Sequence, residues 1–188
     1  MKKKLLVSTV VAIGLFAASA IAAEDSDTLV RFKGGIGAIP VSNVTVAGTP
    51  PVVTVSRNIV RNISSPGQIW VIRDLEARVK INGDIKVEGK GLILGGGNNV
   101  GRATGQSVFA TLICEAAAPF VERSTTTTGV LLAANGDFKI DDVLVPLPPA
   151  TCASPMLLIR TAGSGNWFAA GIPVVAGNSS RGNDKDDD

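Results

Sequence analysis

The sequence contains no histidine and no tyrosine. Without imidazole there is no Ser-His-Asp or Cys-His nucleophilic system, no His-ligated zinc or copper, and no acid–base chemistry tuned near neutral pH by histidine. Only two cysteines occur, Cys114 and Cys152, and neither belongs to a C-x-x-C pair. This pattern argues against a redox pair or a thiolate metal site. Aromatic residues make up 4% of the chain and are too sparse for a stacking track on single-stranded nucleic acid. After residue 23 no apolar run approaches the length of about 18 residues that a membrane span needs.

The one long apolar run lies at the start. Met1-Lys2-Lys3-Lys4 is followed by Leu5 to Ala18 with only Ser8 and Thr9 as mild interruptions, and Ala20-Ile21-Ala22 closes the segment with small residues. A basic n-region, an apolar h-region and an A-x-A-like site predict a cleavable secretory signal over residues 1–22. The alternative is an uncleaved anchor. Cleavage removes Lys2, Lys3 and Lys4, leaving 15 basic against 16 acidic residues and a net charge of −1. A near-neutral chain has no long-range field to gather polyphosphate, which argues against nucleic acid as partner. The expected location is periplasmic or extracellular, with no membrane span after cleavage. In such a compartment Cys114 and Cys152 are expected to form one disulfide, against the rival readings of a redox pair or a metal site.

Residues 23–176 suit a single domain. Val, Ile, Thr and Gly abound there, and apolar residues alternate with polar ones. Leu75, Ala77, Val79 and Ile81 fall on one face of a strand, with Glu76, Arg78 and Lys80 on the other. Asn82-Gly83 then breaks the run, and Asp84 to Glu88 alternates again, which predicts a hairpin. Matching the apolar faces pairs Ile81 with Ile85, Val79 with Val87 and Arg78 with Glu88 around a three-residue loop, or a two-residue turn with a bulge. The phrase Asn82-Gly83-Asp84-Ile85-Lys86-Val87-Glu88 returns as Asn135-Gly136-Asp137-Phe138-Lys139-Ile140-Asp141, predicting a second, similar hairpin. Other strands are expected at Leu29–Phe32, Val52–Val60, Val108–Cys114, Met156–Arg160 and Trp167–Ile172. Turns are expected at Gly34-Gly35, Thr49-Pro50-Pro51, Ser65-Pro66-Gly67, Gly95-Gly96-Gly97 and Gly163-Ser164-Gly165. About eight or nine short strands argue an all-β antiparallel sandwich or barrel. The polar tail 177–188, ending in three aspartates, is expected to be disordered.

Few constellations could carry chemistry. Asp84/Glu88 and Asp137/Asp141 are carboxylate pairs four apart on strands, open to hydrolase chemistry but explained as well by a solvated face. Asp141-Asp142 with Asp137 offers oxygen ligands for calcium without the spacing of a known loop. Ser107 and Ser164 lack both a G-x-S-x-G setting and a base. The connection from Leu94 to Ser107 is long for a hairpin, and Asn98, Asn99, Arg102 and Gln106 are its hydrogen-bonding groups if it is a binding loop rather than a connector. Trp70 and Trp167 are core residues or, if exposed, stacking platforms for a sugar. Asn43, Asn62 and Asn178 head glycosylation-type triplets, read as incidental because the lysine-rich signal looks bacterial.

The phrases Phe32-Lys33-Gly34-Gly35-Ile36-Gly37, Gly105-Gln106-Ser107-Val108-Phe109-Ala110-Thr111, Asn135-Gly136-Asp137-Phe138 and Trp167-Phe168-Ala169-Ala170-Gly171-Ile172 resemble those of small exported bacterial proteins of unassigned function. The resemblance implies an exported bacterial domain and brings no catalytic residues or cofactors with it. The expectation is a non-enzymatic β domain with a structural or surface-binding, adhesive role, its partner an envelope or extracellular protein or glycan. A ligand carrier with a barrel cavity and a carboxylate-based hydrolase are the alternatives.

Overall fold

A computed structural model describes residues 27–174. The signal segment 1–22 and the tail 177–188 lie outside the described residues. Fifteen strand segments follow one another: β1 (Thr28–Gly37), β2 (Val41–Ala47), β3 (Val52–Arg57), β4 (Ile59–Val60), β5 (Ile63–Ser64), β6 (Trp70–Val71), β7 (Asp74–Lys80), β8 (Asp84–Lys90), β9 (Ile93–Leu94), β10 (Ser107–Ile113), β11 (Arg123–Ser124), β12 (Val130–Leu131), β13 (Phe138–Val143), β14 (Met156–Thr161) and β15 (Trp167–Pro173). No helix occurs among the described residues. The main sheet is antiparallel throughout and runs β11-β10-β14-β15-β1-β7-β8-β13, with β12 also paired to β10. Its two ends meet. Ser124 of β11 and Val145, just beyond β13, exchange N–H···O bonds of 3.0 and 2.9 Å. The expected all-β antiparallel fold is thus present, as an eight-stranded ring joined by one bridge.

Alternation decides what faces inward. Leu75, Ala77 and Val79 of β7, Ile85 and Val87 of β8, and Phe138 and Ile140 of β13 are buried, while Glu76, Lys86, Glu88, Lys139 and Asp141 are exposed. The interior is filled by side chains. Leu75, Val79, Ile85, Leu112, Leu157 and Ile159 are fully buried within one continuous cluster. Gly35 and Gly171 sit opposite each other across β1 and β15, and the Leu75 side chain lies over both.

Strands β10, β14 and β15 are apolar on both faces because an outer layer covers them. The Arg160 guanidinium lies 5.2 Å over the Phe109 ring and pairs with Glu122 at 2.5 Å. Arg61, in the β4–β5 turn, donates to the carbonyls of Ile113 (2.9 Å) and Ser154 (2.7 Å). Beside this clamp, Cys114 and Cys152 form the expected disulfide and tie the end of β10 to the approach to β14. Trp70 of β6 stacks on Phe168 of β15, with ring centroids 3.9 Å apart.

Three local expectations need correction. The β7–β8 hairpin pairs Val79 with Ile85, Ala77 with Val87 and Arg78 with Lys86, a shift of two from the expected register. Gly83 N–H closes a tight turn onto the Lys80 carbonyl (3.0 Å), which leaves Ile81 in the turn and 46% exposed. Gly34-Gly35 is not a turn. It is a bulge inside β1, where the β15 register slips between Phe32 and Gly35 and Gly34 takes φ +86°. The second Asn-Gly-Asp phrase makes the same turn as the first, with the Asp137 N–H bonded to Asn135 as the Asp84 N–H is to Asn82. Its leading arm, however, pairs with β10 and forms no second hairpin. Instead the two repeated phrases lie side by side, antiparallel, with the equivalent residues Val87 and Ile140 paired at the centre of a local two-fold.

Strands β2 and β3 form a separate arm in which every residue is exposed. Val44 pairs with Val55 and Val46 with Val53 on one face, while Thr45 pairs with Thr54 and Asn43 with Ser56 on the other.

Candidate functional site

The 95–106 connection is tied down by its own backbone. Leu94 N–H donates to the Arg102 carbonyl (3.1 Å), Gly101 N–H to Leu94 (2.9 Å) and Gly95 N–H to Ile69 (2.9 Å). Gly97, Gly101 and Gly105 adopt left-handed φ, as such tight reversals require, and so does Thr104 at +54°. A β-branched residue there is strained, and such strain tends to gather at functional sites.

Beneath this loop is a cleft of about 410 Å³. Asn99, Thr104 and Gln106 line it from the loop, Gln68 from the approach to β6, and Thr161, Ser164 and Asn166 from the β14–β15 turn. Trp70, Leu94 and Phe168 supply its apolar floor. Thr161 Oγ1 donates to Gln106 Oε1 (3.1 Å), which leaves the Gln106 amide NH₂ as a donor. Arg160 Nε donates to the Gly165 carbonyl (2.7 Å) and fixes the far wall. The lining carries no charged side chain. The cleft therefore offers amide donors, amide acceptors and hydroxyls over an apolar base, suited to a neutral polyhydroxyl ligand.

Of the residues singled out from the sequence, Asn99, Gln106 and Trp70 come together here. Asn98 and Arg102 are exposed on the loop and line no part of the cleft. Of the two readings of the tryptophans, core packing is the one that holds. Trp70 and Trp167 are each only 4% exposed, because Phe168 covers one face of the Trp70 indole and Trp167 belongs to the core cluster. Ser164, expected as a plain turn residue, is a cleft residue, whereas Ser107 begins β10. Gln68, Thr161 and Asn166 were not anticipated. Two of them carry a signal by adjacency, since Gln68 lies two residues before Trp70 and Asn166 directly before Trp167.

The aspartates considered for hydrolysis or calcium are engaged separately, whereas Glu88 lies opposite Glu76 on the outer face and 3.5 Å from Lys139. Asp84 accepts from Asn82 Nδ2 (2.9 Å), and Asp137 accepts from Asn135 Nδ2 and Gly91 N–H, each at 2.9 Å. Asp141 pairs with Lys86 (2.9 Å). Asp142 accepts the Thr126 and Val143 N–H groups, each at 2.8 Å, and these bonds hold its carboxyl below the ordinary aspartate range. Among the described residues no three acidic or cysteine side chains gather as a metal site. The charged outer face of β1, β7, β8 and β13 lines an open groove of about 710 Å³ with like-charged neighbours, Glu76 opposite Glu88 and Arg78 opposite both Arg31 and Lys86. No family model, curated protein or solved structure matches the chain.

Proposed function

We propose that this chain is an exported, non-enzymatic β-barrel domain with a surface-binding, adhesive role, and that the cleft under the 95–106 loop takes a neutral glycan. The observation that carries this reading is the cleft lining, in which amides and hydroxyls from three separate segments converge over an apolar floor without a single charged group. Sugar hydroxyls need paired donors and acceptors, and Asn and Gln side chains supply both on one planar group. The filled interior weighs against a carrier that encloses its ligand in the barrel. The separate engagement of Asp84, Asp137 and Asp141 weighs against carboxylate hydrolysis. Export is supported by the signal pattern of residues 1–22 and agrees with the resemblance to small exported bacterial proteins, and the disulfide is compatible with it.

The test is a glycan array followed by titration calorimetry on the hits. Neutral oligosaccharides are expected to bind, and Gln106→Ala and Asn166→Ala to weaken binding about tenfold each, the loss of one to two hydrogen bonds. Thermal stability should stay unchanged in Asn166→Ala, whereas Gln106→Ala also removes the acceptor of the buried Thr161 hydroxyl and should lose about 1 kcal/mol. Absence of neutral hits, or wild-type affinity in both variants, overturns the reading.

A further inference from the structure

The β2–β3 arm presents an apolar surface that the barrel does not use. Val44, Val46, Val53 and Val55 form a quartet on one face, with exposures of 53, 63, 63 and 58%. Val41 pairs with Arg57, two residues beyond Val55 on the same face, and adds a fifth valine at 37% exposure. A two-stranded hairpin on its own is marginal in water, and a covered apolar face or further strands normally support it.

We infer that the arm is a self-association element whose valine face packs against the same face of a second copy, as two sheets of a small sandwich. Three observations choose this occupant. The first is area. Five valines, four of them more than half exposed, give each copy a continuous apolar face, and burying two such faces against each other supplies the apolar centre of an interface at the small, weak end of the range. The second is charge. No charged residue occurs from Val41 to Ser56, and Arg57 at the base of the arm reaches back to the Ser65 carbonyl (3.1 Å), so the valine quartets of two copies meet without like-charge repulsion and offer a charged partner nothing to pair with. The third is symmetry. The directly opposed pairs Val44–Val55 and Val46–Val53 make a two-by-two patch that is its own complement under a two-fold axis, as an isologous interface requires. A lipid surface fits less well, because interfacial anchors carry Lys, Arg or Trp around the apolar face and the arm has only Arg57, at its base. Pairing along a strand edge would leave the valines in water. This inference is independent of the glycan reading, since none of the five valines lines the cleft.

The test is sedimentation velocity on the signal-free chain from about 1 to about 100 μM, the range in which an interface of modest size dissociates. The wild type is expected to shift from monomer to dimer across this range. The variant Val44→Thr/Val46→Thr/Val53→Thr/Val55→Thr keeps side-chain shape and strand propensity, and should remain monomeric with unchanged far-UV circular dichroism. Thr45→Ala/Thr54→Ala, on the opposite face, should dimerise like the wild type. A wild type monomeric throughout overturns the inference, whether or not the arm then binds phosphatidylcholine vesicles. A dimer that survives the four-threonine change overturns it as well.

Discussion

Gly89 offers a test of packing with the sign worked out in advance. It lies in β8, paired with Leu75 of β7 and Phe138 of β13, and it is buried. Its φ is not in the left-handed region, so alanine meets no backbone strain there. On conformational entropy alone, Gly89→Ala should stabilise the strand by about 0.5–1 kcal/mol. The Phe138 ring opposes this. A Cβ on Gly89 would fall on the edge of that ring, with Cδ1 at 2.9 Å and Cε1 and Cζ nearer still. Phe138 is 5% exposed, so the ring has little room to swing. Overpacking of this kind costs about 1–3 kcal/mol and wins over the entropy gain. The expected net loss is about 1–2 kcal/mol, a Tm fall of about 3–8 °C for a domain of this size. In a Phe138→Leu background the obstruction is smaller, and the same Gly89→Ala change should be neutral or stabilising. Urea unfolding of the four proteins of the cycle, followed by tryptophan fluorescence, gives the coupling directly. A Gly89→Ala protein as stable as the wild type, or one that loses equally in both backgrounds, refutes the argument.

Three further outcomes are expected. The Glu115 carboxylate is bound by Arg123, which holds its pKa at about 2 against an ordinary 4.5, so the pair's stabilisation is complete above about pH 4.5 and is lost as the pH falls towards 2. Partial exposure screens the pair, so Glu115→Gln should cost about 1–2 kcal/mol at pH 6 and much less at pH 2, and a gap that stays constant with pH contradicts the assignment. Replacing both cysteines by alanine releases a link between residues 38 apart and should cost about 4 kcal/mol by the chain-entropy model, read as a lower urea midpoint at unchanged slope. Non-reducing peptide mapping should recover Cys114 joined to Cys152, and two free thiols would rule the link out.

The sequence made the barrel's wet half legible. Within 74–80 and 84–90 one face is apolar and the other charged, and alternation alone assigns the strand side chains to their faces. Alternation has period two, so it is blind to a register shift of two residues. The tight Lys80–Gly83 turn set the true offset and left Ile81 in water. Gly34-Gly35 looked like a chain reversal because a bulge needs the same backbone freedom as a turn. The arm strand β2 was missed because Asn43 interrupts its valines and threonines. The cleft was legible only in pieces. Asn99, Gln106 and Trp70 carried individual signals, but Gln68 and Asn166 join them through the pairing of β6 with β9 and of β14 with β15, contacts that no local pattern encodes. The doubly covered strands hid the outer layer in the same way, since a run such as Val108 to Ile113 records burial without naming what covers it.

The ring order bears on when the protein can fold. Strand β1, the first described, is held between β7 and β15, the last. The two halves of its ladder come from opposite ends of the chain, and Gly35 waits for Gly171. During synthesis the ring therefore cannot close until residue 173 has been made. High contact order of this kind slows folding. It also divides assembly in two, because β1, β7, β8 and β13 are all made by residue 143 and can pair with one another, whereas the side of the ring formed by β10, β14 and β15 stays open until the last strand arrives.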